Sequence, residues 1–184
     1  MTSKLSILGF AGSLRQASLN KAILRAAQEM VPSEADMEIF DLAGIPLFNQ
    51  DFEDQPAEKV KKFKAAIRAA DALLIASPEY NYSMPGVLKN AIDCASRPYG
   101  DNVLDGKPVA IMGASIGMLG TARAQYHLRQ SCVFLNMHPL NRPEVMVPFA
   151  QEKVDDKGRL TDQKTRQKIA ELVEALIVWT RRLK

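Results

Sequence analysis

What most constrains this chain is the alternation of two sequence patterns. Runs that are apolar at every position are separated by stretches whose apolar residues recur at helical spacing. Ala72-Leu73-Leu74-Ile75-Ala76 and Val109-Ala110-Ile111-Met112 contain no polar side chain. A strand with one face in water alternates apolar and polar residues, so an unbroken run marks a strand covered on both faces, as in a parallel sheet. Leu5-Ser6-Ile7-Leu8-Gly9-Phe10, Met37-Glu38-Ile39-Phe40 and Glu144-Val145-Met146-Val147 read as further strands. Helices are predicted over Leu19–Met30, Glu58–Ala70, Pro85–Ser96 and Thr121–Met137. Val60, Phe63, Ile67 and Ala70 share one face of the second of these, and Ile169, Leu172, Val173, Leu176 and Thr180 stripe a last helix. Strands alternating with helices predict an α/β three-layer sandwich: a five-stranded parallel sheet with helices on both faces.

At 184 residues, with 47% apolar and 24% charged residues, the chain suits one globular domain over 1–184. No apolar run approaches the roughly 20 residues that cross a bilayer. The run Leu5 to Ala11 is too short for a secretory leader and is followed at once by Gly12-Ser13-Leu14-Arg15. The expectation is a cytoplasmic protein without membrane insertion. The two cysteines, Cys94 and Cys132, form no C-x-x-C pair and read as small buried hydrophobes. A net charge of +3 carried by scattered basic residues gives no nucleic-acid face. The polar stretches 49–56, 99–107 and 155–162 read as loops, and none as a domain linker.

In an open parallel sheet, ligands bind beyond the carboxyl ends of the strands, where the strand order reverses. The loop after the first strand carries Ser13, Arg15, Ser18, Asn20 and Lys21 into a helix start. No acidic residue occurs from Met1 to Gln28, whereas Lys4, Arg15, Lys21 and Arg25 are basic. A helix start favours negative charge, because its unpaired N–H groups carry about half a positive charge. A bound phosphate, wrapped by N–H groups and hydroxyls and neutralised by Arg15, would resolve the conflict. The spacing is neither G-x-x-x-x-G-K-[ST] nor G-x-G-x-x-G. The alternative is that Ser18 is only a helix cap and the cations are a solvated surface.

After the third strand, Pro78-Glu79-Tyr80-Asn81-Tyr82-Ser83-Met84-Pro85-Gly86 holds two of the four tyrosines between two prolines. Its aromatic faces and amide groups suit a planar heterocycle, although the tyrosines could simply pack on their neighbours. After the fourth strand, Gly113, Gly117 and Gly120 would permit close backbone approach to a ligand, or serve as turn residues before a helix. In a flavodoxin-like sheet of order 2-1-3-4-5 these three loops are neighbours. A phosphate site beside a flat-ring site describes a mononucleotide, and FMN is the one typical of this sheet order.

Three segments resemble the NADPH-dependent FMN reductase family, which includes bacterial chromate, quinone and azo-dye reductases. They are Gly12-Ser13-Leu14-Arg15-x-x-Ser18-x-Asn20, Pro78-Glu79-Tyr80-Asn81-x-Ser83-x-Pro85-Gly86-x-Leu88-Lys89-Asn90-Ala91-Ile92-Asp93, and Ser115-x-Gly117-x-x-Gly120-x-x-Arg123-x-Gln125. The resemblance implies a non-covalent FMN, with NADPH or NADH as reductant. Ser13, Arg15, Ser18 and Asn20 would hold the phosphate, and Glu79, Tyr80, Asn81 and Tyr82 would line the isoalloxazine. Ser115 and Gly117 would close the other side, with Leu14, Leu19, Pro78 and Ser83 as further contacts. It also implies a homodimer or homotetramer with the flavin near a subunit interface. Cys94 stands where the family pattern suggests a larger aromatic residue.

The implied activity is ping-pong hydride transfer from NAD(P)H to quinones, chromate, azo compounds or flavins, with the flavin carrying the chemistry and no catalytic side chain. His127 and His138 follow no metal-ligand spacing, and no metal is expected. Arg123 and Tyr126 share a helix face and would meet NAD(P)H or a partner subunit, with Glu144 as a charge partner. The alternative is a flavodoxin-like electron carrier or redox-responsive binding protein without direct NAD(P)H turnover. The mild positive charge fits a carrier less well.

Overall fold

The computed structural model describes residues 4–184. The all-apolar runs lie at the centre of a parallel sheet. Strands β1 (Leu5–Ala11), β2 (Ala35–Phe40), β3 (Ala72–Ala76) and β4 (Pro108–Ala114) pair in the order β2-β1-β3-β4. Two short strands, β5 (His138–Pro139) and β6 (Val145–Val147), share the far side of β4. Together they fill the fifth place, giving the 2-1-3-4-5 order of the flavodoxin-like fold. The helices are α1 (Leu19–Glu29), α2 (Glu58–Ala69), α3 (Gly86–Ala95), α4 (Ala122–Phe134) and α5 (Gln163–Leu183).

Period-two alternation divides each central strand between two cores. Ala72, Leu74 and Ala76 of β3 join Ala110 and Met112 of β4 in one core. Helices α1 and α5 cover it with Ile23, Leu24, Ile169, Leu172, Val173 and Leu176. Leu73 and Ile75 join Val109 and Ile111 in the other core, covered by Phe63 and Ile67 of α2, Leu88 and Ile92 of α3, and Leu128 of α4. Every residue of β3 is at most 1% exposed. Fully burying a side chain the size of leucine contributes roughly 1.5–3 kcal/mol.

The fifth strand is longer in extent than the single run over Glu144–Val147, and it is interrupted. His138 and Pro139 pair with Pro108 and Val109 first, and the chain then leaves the sheet before Val145. Trp179 Nε1 donates to the His138 carbonyl at 2.9 Å, so α5 covers part of the sheet edge. A proline lacks the ladder donor and is tolerated at an edge. The predicted helix over Thr121–Met137 is also shorter, because Asn136 adopts φ 54° and the Met137 N–H returns to the Cys132 carbonyl at 3.0 Å. Asparagine in the left-handed conformation commonly ends a helix. Both cysteines are buried packing residues, and burial pushes the Cys132 thiol up to about 11. Cys94 sits with its Sγ 3.8 Å from the Pro46 carbonyl oxygen.

Helix α5 starts at Asp162, whose carboxylate accepts the Thr165 N–H at 2.8 Å. Hydrogen bonding to Thr165 holds the Asp162 carboxyl below its ordinary range. A lowered carboxyl contributes stability that is complete above the unfolded-state value near 4 and is lost as pH falls through the folded value. Asp162→Ala should therefore lower unfolding free energy by about 1 kcal/mol at neutral pH. Urea titrations should show that difference shrinking in acid.

Candidate functional site

Strands β1, β3 and β4 are adjacent and parallel, so the loops at their carboxyl ends emerge together. They enclose a cleft of about 230 Å³. The first loop contributes Ser13, Arg15, Ser18, Leu19 and Asn20, the second Pro78, Glu79 and Tyr80, and the third Ala114, Ser115 and Ile116. A larger hollow of about 290 Å³ lies beneath residues 46–57, but it is walled largely by Leu47, Phe48 and Phe52, and its Arg97 is paired with Glu53. Convergence of polar groups, not size, marks the first cleft as the candidate site.

The start of α1 remains electrically unbalanced. Ser18 caps it by accepting the Lys21 N–H at 3.3 Å, and its first turn holds no acidic residue. Ser13 Oγ, also buried, accepts the Arg15 N–H at 3.4 Å. Lys21 is drawn to Asp41 at 3.6 Å, and Arg25 donates to the Gly158 carbonyl at 3.0 Å. Arg15 lines the cleft, is exposed, and pairs with no carboxylate among the described residues. Buried hydroxyls, an exposed guanidinium and a helix start without an acidic residue give this end of the cleft groups that can attract and hydrogen-bond an anion.

Asn20 lines the same cleft, but its side chain has a structural task. Its Nδ2 donates to the Ala114 carbonyl and its Oδ1 accepts the Ala114 N–H, both at 2.9 Å. Strand β3 ends at Ala76, opposite Met112, so this edge of Ala114 has no strand beside it. The asparagine amide replaces the missing strand and fixes the first loop against the third.

In the second loop, Tyr80 and Ser83 exchange backbone hydrogen bonds of 2.9 and 3.0 Å around Asn81 and Tyr82. The expectation that the Glu79 side chain lines a flat ring meets a competing role. Glu79 Oε2 accepts the Arg123 and Ala124 N–H groups at 3.1 and 3.3 Å. Its Oε1 binds the Arg123 guanidinium. The carboxylate caps α4, whose N-cap residue Thr121 makes no side-chain cap. In turn, hydrogen bonding to Glu79 holds Arg123 above its ordinary value.

Arg123 is thus paired with Glu79 within its own chain, not with Glu144. Glu144 instead accepts from the Tyr126 hydroxyl at a long 3.5 Å. His127 Nδ1 lies 2.9 Å from Ser83 Oγ, a contact the sequence did not suggest. Of the three glycines near the third loop, only Gly117 could carry a Cβ without a clash, with Ser115 Oγ at 3.6 Å in ordinary contact. A Cβ on Gly113 would collide with Thr121 and the Ser77 carbonyl, and one on Gly120 with the backbone at Met146 and Val147. These two glycines serve packing. Leu14, Asn81, Tyr82, Ser83 and Gly117 belong to the converging loops but lie outside the lining itself. Ala114 and Ile116 line it without having been singled out in the sequence; neither residue type carries a chemical signal.

The fold and the converging loops define a flavodoxin-like protein with a polar cleft at the strand carboxyl ends. The family model for NADPH-dependent FMN reductase matches residues 5–152, and the chain belongs to that family. It is 54% identical to an NAD(P)H-dependent FMN reductase of Pseudomonas aeruginosa, over 100% of both chains. It is 42% identical to a 2-hydroxy-1,4-benzoquinone reductase of a Burkholderia species, covering 96% of this chain and 97% of that one. The structure superposes on the flavoenzyme NAD(P)H:(acceptor) oxidoreductase FerB of Paracoccus denitrificans with a TM-score of 0.88 and 33% identity, covering 97% and 98% of the two chains. Among the described residues no helix is long and apolar enough to cross a membrane.

Asn20→Ala should orphan both backbone groups of Ala114 and cost about 2–4 kcal/mol in unfolding free energy. Asn20→Asp, which keeps one acceptor and adds a charge beside the Ala114 carbonyl, should not restore it. Chemical denaturation of both variants checks this.

Proposed function

We propose that this chain is an NAD(P)H-dependent FMN/quinone reductase that holds FMN non-covalently in the cleft between the β1, β3 and β4 loops. The observation that carries the placement is the unbalanced start of α1, with Arg15 free at the cleft and Ser13 and Ser18 buried beside it. The residues fit the cofactor. The Arg15 loop adjoins a loop presenting Tyr80, 47% exposed, and a third loop in which Gly117 is uncrowded, with Ser115 Oγ 3.6 Å from a Cβ position. When bound, FMN would supply the chemistry, accepting hydride from NAD(P)H and passing electrons on to a quinone or a similar oxidised acceptor such as chromate, an azo compound or a flavin.

In this reading the protein's work is to bind, orient and shield. Arg15, Ser13 and Ser18 grip the phosphate and set how deep the cofactor sits. Leu14, Leu19 and Asn20 hold the first loop around it. Pro78 through Ser83 form the bed of the ring, with Glu79 acting through its hold on α4. Ser115 and Gly117 close the opposite side. Reductant and acceptor would use the same open face in turn, giving ping-pong kinetics. The chain works as one domain in the cytoplasm. The apolar side chains left exposed at the end of α4, Val133 at 81% and Phe134 at 85%, support a homodimer or homotetramer. Tyr126 and Glu144, on the outer surface near α4, are read as contacts for NAD(P)H or a partner subunit.

The purified protein should show flavin absorption bands, or acquire them with added FMN, and NADPH should bleach them under anaerobic conditions before any acceptor is added. A flavin that bleaches only through an added reductase would mark an electron carrier instead. Arg15→Ala should weaken FMN binding about tenfold to a hundredfold, the scale of a lost charge-assisted hydrogen bond, without lowering the melting temperature of the apo-protein. Fluorescence titration against FMN checks it.

A further inference from the structure

Tyr82 has a backbone conformation that tyrosine rarely adopts. Its φ is 68°, following Asn81 at 50°, in a two-residue turn closed by the paired bonds of Tyr80 and Ser83. Turns with both central residues at positive φ are normally Asn-Gly, because a Cβ at the second position crowds the carbonyl oxygen. A tyrosine persists there only where its surroundings over-determine it.

The surroundings are supplied by α4. The Arg123 guanidinium lies over the Tyr82 ring, its Cζ 3.5 Å from the ring centroid. The guanidinium is held by the Glu79 carboxylate, itself anchored by the Arg123 and Ala124 N–H groups. Glu79 is buried and Arg123 is about a third exposed, so the pair is partly withdrawn from water. The His127–Ser83 contact adds a second tie from the same helix to the same turn. The turn sets the position of Tyr80, which lines the cleft.

We propose that Arg123 is a positioning residue for the ring end of the cofactor site. It acts through Tyr82: one planar group satisfies Glu79 along its edge and stacks on the tyrosine with its face, locking the turn that presents Tyr80 and its neighbouring backbone. Lysine cannot do both, since its ammonium is a point charge without a planar face. This role rests on the reading of the cleft as a flavin site.

Riboflavin separates the two ideas, because it carries the ring without the phosphate. Apo-protein, R123K, R123A and R15A are each titrated with FMN and with riboflavin, following flavin fluorescence. R123K should raise the dissociation constants for both flavins by the same factor, about tenfold, on the scale of a lost cation–π contact in a partly desolvated site. R15A should weaken FMN alone. The visible circular dichroism of bound flavin should change in R123K and not in R15A, since only the first alters the bed of the ring. R123K binding both flavins as the parent protein does, with an unchanged dichroism spectrum, overturns the positioning role even if R15A behaves as expected. A parent protein that binds neither flavin overturns the site and the positioning role together. If R123A fails to fold, R123K alone decides, because it keeps a positive charge for Glu79.

Discussion

Strands β3 and β4 are buried on both faces, and much else in the molecule follows from that. A strand with no wet face needs two helical layers, so α1 and α5 must pack on one side and α2, α3 and α4 on the other. Parallel pairing then sends every connection back across the sheet, and all the strand carboxyl ends lie along one edge. The loops from β1, β3 and β4 meet there because their strands are neighbours, not because they attract one another. The cleft is a geometric consequence of the core.

What distinguishes the cleft from other hollows is where its polar groups are satisfied. The protein meets the needs of Asn20, Glu79, Lys21 and Arg25 internally. Among the described residues, Arg15 pairs with no carboxylate, and the first turn of α1, capped by Ser18, holds no acidic residue. A charge left unpaired among paired neighbours suits an anionic ligand, which is the basis of the proposed placement of the cofactor phosphate. The second loop illustrates the opposite economy. Its strained turn is fixed by α4 through Glu79, Arg123 and Tyr82.

Much of the architecture was legible because periodicity is local. The continuous run 72–76 and the alternation of β1 residues between the two cores each follow from residues within one strand. The interruption between His138 and Val145 was not legible, since two pairing residues, one of them proline, carry too little pattern. Asn136 was a readable stop signal for α4 that the helical periodicity masked. In the candidate site, the basic character of the first loop was visible as an absence of acidic residues before Glu29. The second loop was visible only as composition, two tyrosines between prolines, with no sign of which groups face the cleft.

The sequence alone determined the order of strands and helices, the burial of the central strands and the electropositive first loop, because each depends on neighbours within a few residues. Tertiary structure decided which polar groups remain free for a ligand. Glu79 and Arg123 are 44 residues apart, and Asn20 and Ala114 are 94 apart. Whether such side chains face a ligand or one another depends on where the sheet brings their loops, and no local pattern encodes that.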